Sequence, residues 1–197
     1  MKTFNKIIIL GLIPFTFLAC SVLYSRIDIQ SDIVNSTKRI KLNITYLKTE
    51  EKRTPLFSLN QSILKEITAD KQVSYKVFDM LYLTSTSYKL EKNVYIIIDN
   101  EAFKMNIINE EYDNITSISE NKSDVMLADS TKVSVVTGYS NNNYKVTKYS
   151  YFLNEDIIEK IKNSDSVFFR YYSGASMITL KLWGKNLIKL KNLIEMQ

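Results

Sequence analysis

Histidine is absent from the 197 residues, and cysteine occurs once. Without histidine there is no His-based catalytic triad and no His-rich metal site. A single cysteine forms no disulfide within the chain and no zinc cluster. Glycine and proline are scarce, at 4 and 2, which excludes collagen-like and low-complexity classes. The motif G-x-S-x-G is missing, as are a P-loop and G-x-G-x-x-G. What remains is ordinary globular usage, with 45% hydrophobic and 24% charged residues.

The cysteine stands at a telling place. Residues 1–20 read MKTFNKIIILGLIPFTFLAC, with Lys2 and Lys6 ahead of an apolar run from Ile7 to Leu18. A charged start, a short apolar stretch and a small residue at its end are the layout of an export signal. The run is too short to span a bilayer, which takes about 20 apolar residues. Cleavage after Ala19 by an ordinary signal peptidase would put the bulky Phe17 at −3. Phe17-Leu18-Ala19-Cys20 instead resembles a lipobox, with Ala19 at −1 and Cys20 as the lipidated residue. It departs from the usual pattern in that Phe17, not Leu, holds −3. Two or three acyl chains on Cys20 would hold the protein to a membrane at about 0.8 kcal/mol per buried CH₂. Loss of the leader removes Lys2 and Lys6 and lowers the formal charge from +5 to +3. So mild a charge without clustering is no nucleic-acid signature.

Past Cys20 the sequence implies a division. Residues 1–19 read as signal peptide, 20–38 as lipidated N-terminus and tether, and 39–197 as one domain. An edge strand built on Ile27, Ile29 and Ile33 is the alternative reading of the tether. From Arg39, alternation at Ile40, Leu42, Ile44 and Tyr46 predicts a strand. Ser58 is expected to cap a helix through Ile63, Leu64 and Ile67. Residues 73–83 predict a strand with Val73, Tyr75, Val77, Leu81 and Leu83 on one face, interrupted by Asp79. Its other face, Phe78, Met80 and Tyr82, could be covered as well. A hairpin is expected over 93–99 and 102–108 around Asn100-Glu101. Residues 109–130 are polar and acidic and read as a long loop. A second hairpin is expected over 131–139 and 144–152, turning at Ser140 and Asn141–Asn143. Asn154 should cap a short helix that buries Ile157, Ile158 and Ile161. A third hairpin pairs 166–172 with 175–182 across Ser173-Gly174. A last helix, 185–195, carries the stripe Leu187, Ile188, Leu190, Leu193 and Ile194. The expected class is α+β: a mostly antiparallel sheet of hairpins with two or three helices packed on it.

Candidate chemistry is sparse. Glu110-Glu111-Tyr112-Asp113 and Glu155-Asp156 could act as acid and base, yet a solvated loop and a helix start account for them. Ser173-Gly174-Ala175-Ser176 offers hydroxyls for a Ser–Lys pair, and a hairpin turn accounts for it equally. Glu120, Asp124 and Asp129 lack the spacing of a calcium loop. Five Asn-x-Ser/Thr sequons, at Asn35, Asn43, Asn60, Asn114 and Asn121, follow from an asparagine-rich composition. Cofactors and metals are not expected. The mixed aromatic and basic stretches point to a binding surface for a protein or glycan, drawn from Tyr144, Lys148, Tyr149, Tyr151, Arg170 and Tyr172. Core packing is the competing account of the same residues.

The lipobox, the polar stretch after it and the Lys/Asn/Ile-rich chain resemble envelope lipoproteins of Borrelia-type spirochaetes. The resemblance covers the leader and the composition only. It implies an anchored envelope protein, at the outer membrane or cell surface. The expected role is a non-catalytic binding module. A periplasm-facing assembly lipoprotein is the alternative, and a hydrolase using carboxylates or a Ser–Lys pair is a lesser one.

Overall fold

The computed structural model describes residues 25–47, 54–182 and 184–197. Cys20, residues 48–53 and Trp183 lie outside the described residues. Ten strands and two helices follow in order: β1 Ser25–Asp32, β2 Thr37–Leu47, β3 Leu56–Ile67, β4 Val73–Thr84, β5 Val94–Ile98, β6 Glu101–Met105, β7 Ile107–Met126, β8 Lys132–Leu153, α1 Glu155–Asn163, β9 Val167–Ser173, β10 Ser176–Leu182 and α2 Lys185–Glu195. The class is α+β and every strand pair is antiparallel. The strands form two sheets rather than one, ordered β1-β2-β3-β4-β8-β7 and β10-β9-β5-β6.

One core joins them. From the larger sheet come Ile40, Leu42, Ile44, Leu59, Ile63, Val77, Leu81 and Tyr151; from the smaller, Ile96, Phe169, Tyr171, Ile178 and Leu180. Within each strand these residues recur mostly at every second position, so pleating puts them on one face. Both helices match their expected bounds and seal the core. The side chain of Asn154 accepts the Ile157 N–H at 3.0 Å, and α1 buries Ile157, Ile158 and Ile161. Helix α2 buries Leu187, Leu190, Leu193 and Ile194 but leaves Ile188 59% exposed. It packs on β1, β2 and α1. Three lysines clip it down. Lys65 donates to the carbonyls of Ile194 and Met196, where the helix dipole favours a cation. Lys189 donates to Ser25 at 2.6 Å, and Lys191 to the Ser164 carbonyl at 2.6 Å.

Five expectations need correction. Residues 25–32 are no tether: they form β1, paired with β2 over its whole length. The domain therefore begins by Ser25, and a boundary at 39 would cut β2. No helix follows Ser58; β3 runs there instead. A bulge between Leu56 and Ser58 makes one step of three, from Leu56 to Leu59, and the buried polar Gln61 leaves an apolar step of four from Leu59 to Ile63. That spacing imitates a helix. Residues 109–130 are no loop but most of the 20-residue β7, and 131–152 are no hairpin but one 22-residue strand, β8. Their turn lies at Leu127–Thr131, where Ser130 has φ 68°, and Asn141–Asn143 pair with Ile118–Thr116. Finally, the second face of β4 is only partly covered: Phe78 stays 40% exposed while Met80 and Tyr82 are half-buried.

The other two hairpins form. The first turns at Asp99-Asn100, one residue earlier than expected, with φ of 45° and 74°, the paired positive values of a tight two-residue turn. The second turns at Gly174, whose φ is +57° and where a Cβ would meet the Tyr88 ring at 2.6 Å.

Candidate binding surface

The aromatic and basic residues singled out in the sequence do not share a surface. Tyr149 and Tyr151 point into the core and are 2% and 0% exposed. Tyr149 donates to the Glu91 carbonyl at 3.0 Å and Tyr151 to Asp79 at 2.9 Å. Lys148 lies on the opposite face of β8 and pairs with Glu111 at 2.7 Å. Tyr144 packs its ring against Phe57 at 5.2 Å. Arg170 and Tyr172 stand on the outer face of the smaller sheet, where Arg170 donates to Thr179 at 3.0 Å and Tyr172 meets Tyr95 edge-on. Core packing accounts for two of the six, and the rest are split between two sheets.

The acidic candidates are dispersed by the same alternation. Glu110 is held by Lys89 at 3.1 Å and Lys92 at 2.6 Å, while its neighbour Glu111 takes Lys148 across the strand. Adjacent residues of one strand point to opposite faces, so these carboxylates cannot act on one substrate atom. Glu155 and Asp156 occupy the first turn of α1. Ser173 donates to the Tyr88 carbonyl at 2.8 Å beside its turn. Among the described residues no group of three or more Cys, Asp or Glu is placed to hold a metal.

The strongest electrostatic feature is one the sequence showed only as an interruption. Asp79 is 2% exposed. Its Oδ2 accepts from Tyr151 at 2.9 Å and Tyr171 at 2.7 Å, and its Oδ1 from Gln61 at 3.0 Å. Gln61 in turn accepts from Tyr46 at 3.1 Å. Four strands of the larger sheet and β9 of the smaller meet at this carboxyl. Burial pushes its pKa up to about 6, while the hydrogen bonds from Tyr171, Gln61 and Tyr151 pull it down. Burial also holds the hydroxyls of Tyr151 and Tyr171 well above their ordinary pKa, so both remain donors. This network ties the two sheets together inside the core.

Two features face solvent. The first is a depression of about 300 Å³ on the outer face of the larger sheet, between Asn60, Ser62, Phe78, Asn109, Lys148 and Ser150. Its polar groups largely satisfy one another: Ser62 donates to Asn43, Thr45 to Asn60 and Asn109 to Ser150. The second is the β7–β8 hairpin. Strand β4 pairs with β8 only from Tyr144 onward, so residues 116–143 run on past the sheet as a two-stranded arm. At about 3.3 Å per residue, the ten residues from Ile115 to Val125 carry it roughly 33 Å outward. Both faces are open, and Ile118, Met126, Leu127, Val136 and Tyr139 are 43–67% exposed. Sequence reasoning missed the arm because a ribbon with no buried face has no hydrophobic period to detect. The remaining signal was the valine-rich run Val133, Val135 and Val136 beside a long stretch without proline.

No helix of the described residues is long and apolar enough to cross a membrane. No protein-family model matches the chain, and none of the curated proteins matches it.

Proposed function

We propose that this chain is a lipid-anchored, non-catalytic protein of a bacterial cell envelope, held by acyl chains on Cys20, whose folded domain contacts a partner through the β7–β8 arm. The arm is the observation that carries the reading. A two-stranded ribbon in water is marginal by itself, and its exposed apolar side chains contribute nothing to the core. Such an element fits a partner that covers it. The anchor rests on the leader and the lipobox-like Phe17-Leu18-Ala19-Cys20. The enclosure of Asp79 and the separation of Glu110 from Glu111 favour binding over catalysis.

Metabolic labelling with a palmitate analogue should mark the wild-type protein and leave Cys20→Ser unlabelled. Equal labelling of both removes the anchor. Protease added to intact cells should degrade a protein displayed at the surface. Protection until the outer membrane is opened would place it facing the periplasm, in an assembly role. The arm itself should be dispensable for folding. Replacing residues 116–143 by Asn-Gly between Ile115 and Tyr144 is expected to shift the unfolding midpoint by no more than about 2 °C, since exposed residues contribute only tenths of a kcal/mol each. A collapse of the fold in that variant would mean the arm belongs to the core.

A further inference from the structure

We propose that the outer edge of β7 pairs with the same edge of a second copy of this chain, antiparallel about Asn121. The two arms then form one four-stranded sheet ordered β8, β7, partner β7, partner β8. This deepens the reading of the arm as a contact element by naming its partner.

The edge is built for pairing. Among the described residues strand β7 ends the larger sheet, with β8 as its one neighbour. Its second edge carries a long row of free N–H and C=O groups, a template for another strand. Proline, one of the guards of an edge strand, is missing from β7, and its outer half carries only Glu120, Lys122 and Asp124 as charges. The two prolines, Pro14 and Pro55, lie outside the sequence of both arm strands. The distal irregularity, between Asn121 and Lys122, places its extra residue, Thr137, on β8, which leaves β7 regular along its outer half.

The charges choose the partner and the register. A symmetric pair must be self-complementary, because each residue meets its mirror position across the two-fold axis. Centred on Asn121, antiparallel pairing sets Glu120 opposite the partner's Lys122, and does so twice. Ser119 then meets Ser123, Ser117 meets Val125, and Thr116 meets Met126, so the pairing spans residues 116–126 with no like charges opposed. Centring on Glu120 or Lys122 instead sets a charge against its own copy, which is unfavourable across strands. Centring on Ser119 unites no opposite charges, and centring on Ser123 sets Lys122 opposite Asp124 but leaves only residues 120–126 paired, against 116–126 about Asn121.

The apolar side chains fit the same register. Glu120 pairs within its own arm with Tyr139, and Lys122 with Val136. Each new ion pair therefore lies between Tyr139 of one copy and Val136 of the other. Residue 127 comes opposite residue 115, which carries the tip residue Leu127, 48% exposed, to the base of the partner's arm beside Ile115, 41% exposed. The body of each domain stays clear, since Asn121 lies six residues, about 20 Å, beyond the last pairing of β8 with β4.

The test is disulfide formation in the full chain in membranes under mild oxidation. Asn121→Cys places two thiols opposite each other and should yield mostly covalent dimer. Ser117→Cys, opposite Val125, should yield at least fivefold less. Adding Glu120→Lys to Asn121→Cys should cut the dimer about fivefold, because Lys then faces Lys, and adding Lys122→Glu as well should restore it. Equal cross-linking at positions 117 and 121, or indifference to the charge swap, overturns the pairing; so does a monomeric mass in detergent by light scattering, which leaves the arm to an unlike partner. Wild type is the control for the anchor. A Cys20-linked dimer there overturns lipidation alone, and the same comparison in a Cys20→Ser background then decides the pairing.

Discussion

Asparagine in place of Asp79 is expected to remove a loss of stability that the wild-type protein suffers between about pH 4 and pH 6. The folded pKa of Asp79, about 6, lies above the ordinary 3.8. The neutral acid is therefore the form the fold prefers. Stability from this group is full below the unfolded pKa and is lost as pH rises through the folded one. The shift corresponds to about 3 kcal/mol over the whole window, of which roughly two-thirds falls between pH 4.5 and 7. For a domain of this size that is a drop in midpoint of roughly 4–8 °C. The introduced amide would accept from both tyrosines through its carbonyl, and a flipped Gln61 amide would take its N–H. Thermal unfolding at pH 4.5 and 7 should show the gap between variant and wild type moving in the variant's favour. Alanine should behave otherwise. It strands the hydroxyls of Tyr151 and Tyr171 and the amide of Gln61, each at about 1–3 kcal/mol, so a loss of roughly 3–5 kcal/mol is expected even at pH 4.5. A variant Asp79→Asn with the same pH slope as wild type would show that this carboxyl is not the titrating group.

Truncating Leu190 should cost about 2–5 kcal/mol, a large share of the 5–15 that holds a typical domain. Leu190 is fully buried on the face of α2 that meets β1, β2 and α1. Removing its isobutyl group loses transfer energy and leaves a cavity that the clipped helix cannot readily close. Ile188, 59% exposed on the same helix, provides the contrast: Ile188→Ala should change stability by less than about 0.5 kcal/mol. Denaturant midpoints of the two variants measure this directly. Equal midpoints would mean that α2 does not pack as described and presents its stripe to a partner or membrane instead.

The legible parts of the sequence were those with one wet face and one dry face. Helix α2 was readable to the residue from Leu187, Leu190 and Ile194, and α1 from Asn154 and its following acids. Ile178, Leu180 and Leu182 likewise gave β10. Strand β3 was not readable because its bulge put a step of three between Leu56 and Leu59, and Gln61 occupied the buried slot between Leu59 and Ile63. Strands β7 and β8 were not readable because both their faces meet water past the sheet. Asp79 was visible as the polar break in a row of Val77 and Leu81. Its meaning was not, because Tyr151 and Tyr171 lie 72 and 92 residues away. The tyrosines credited to a surface included one of the donors that this carboxyl requires, Tyr151.

The clip between Lys189 and Ser25 spans 164 residues. A chain synthesised from its N-terminus presents β1 early and α2 last among these elements. The first four strands are a meander of neighbours in sequence, so their pairing needs only short loop closures and can begin early. Their inner face, however, stays bare until β8 and the last helix arrive. During that interval Ile40, Leu42 and Ile44 are open to water and to other chains. A chaperone that shields the emerging meander would thus raise the yield of folded protein.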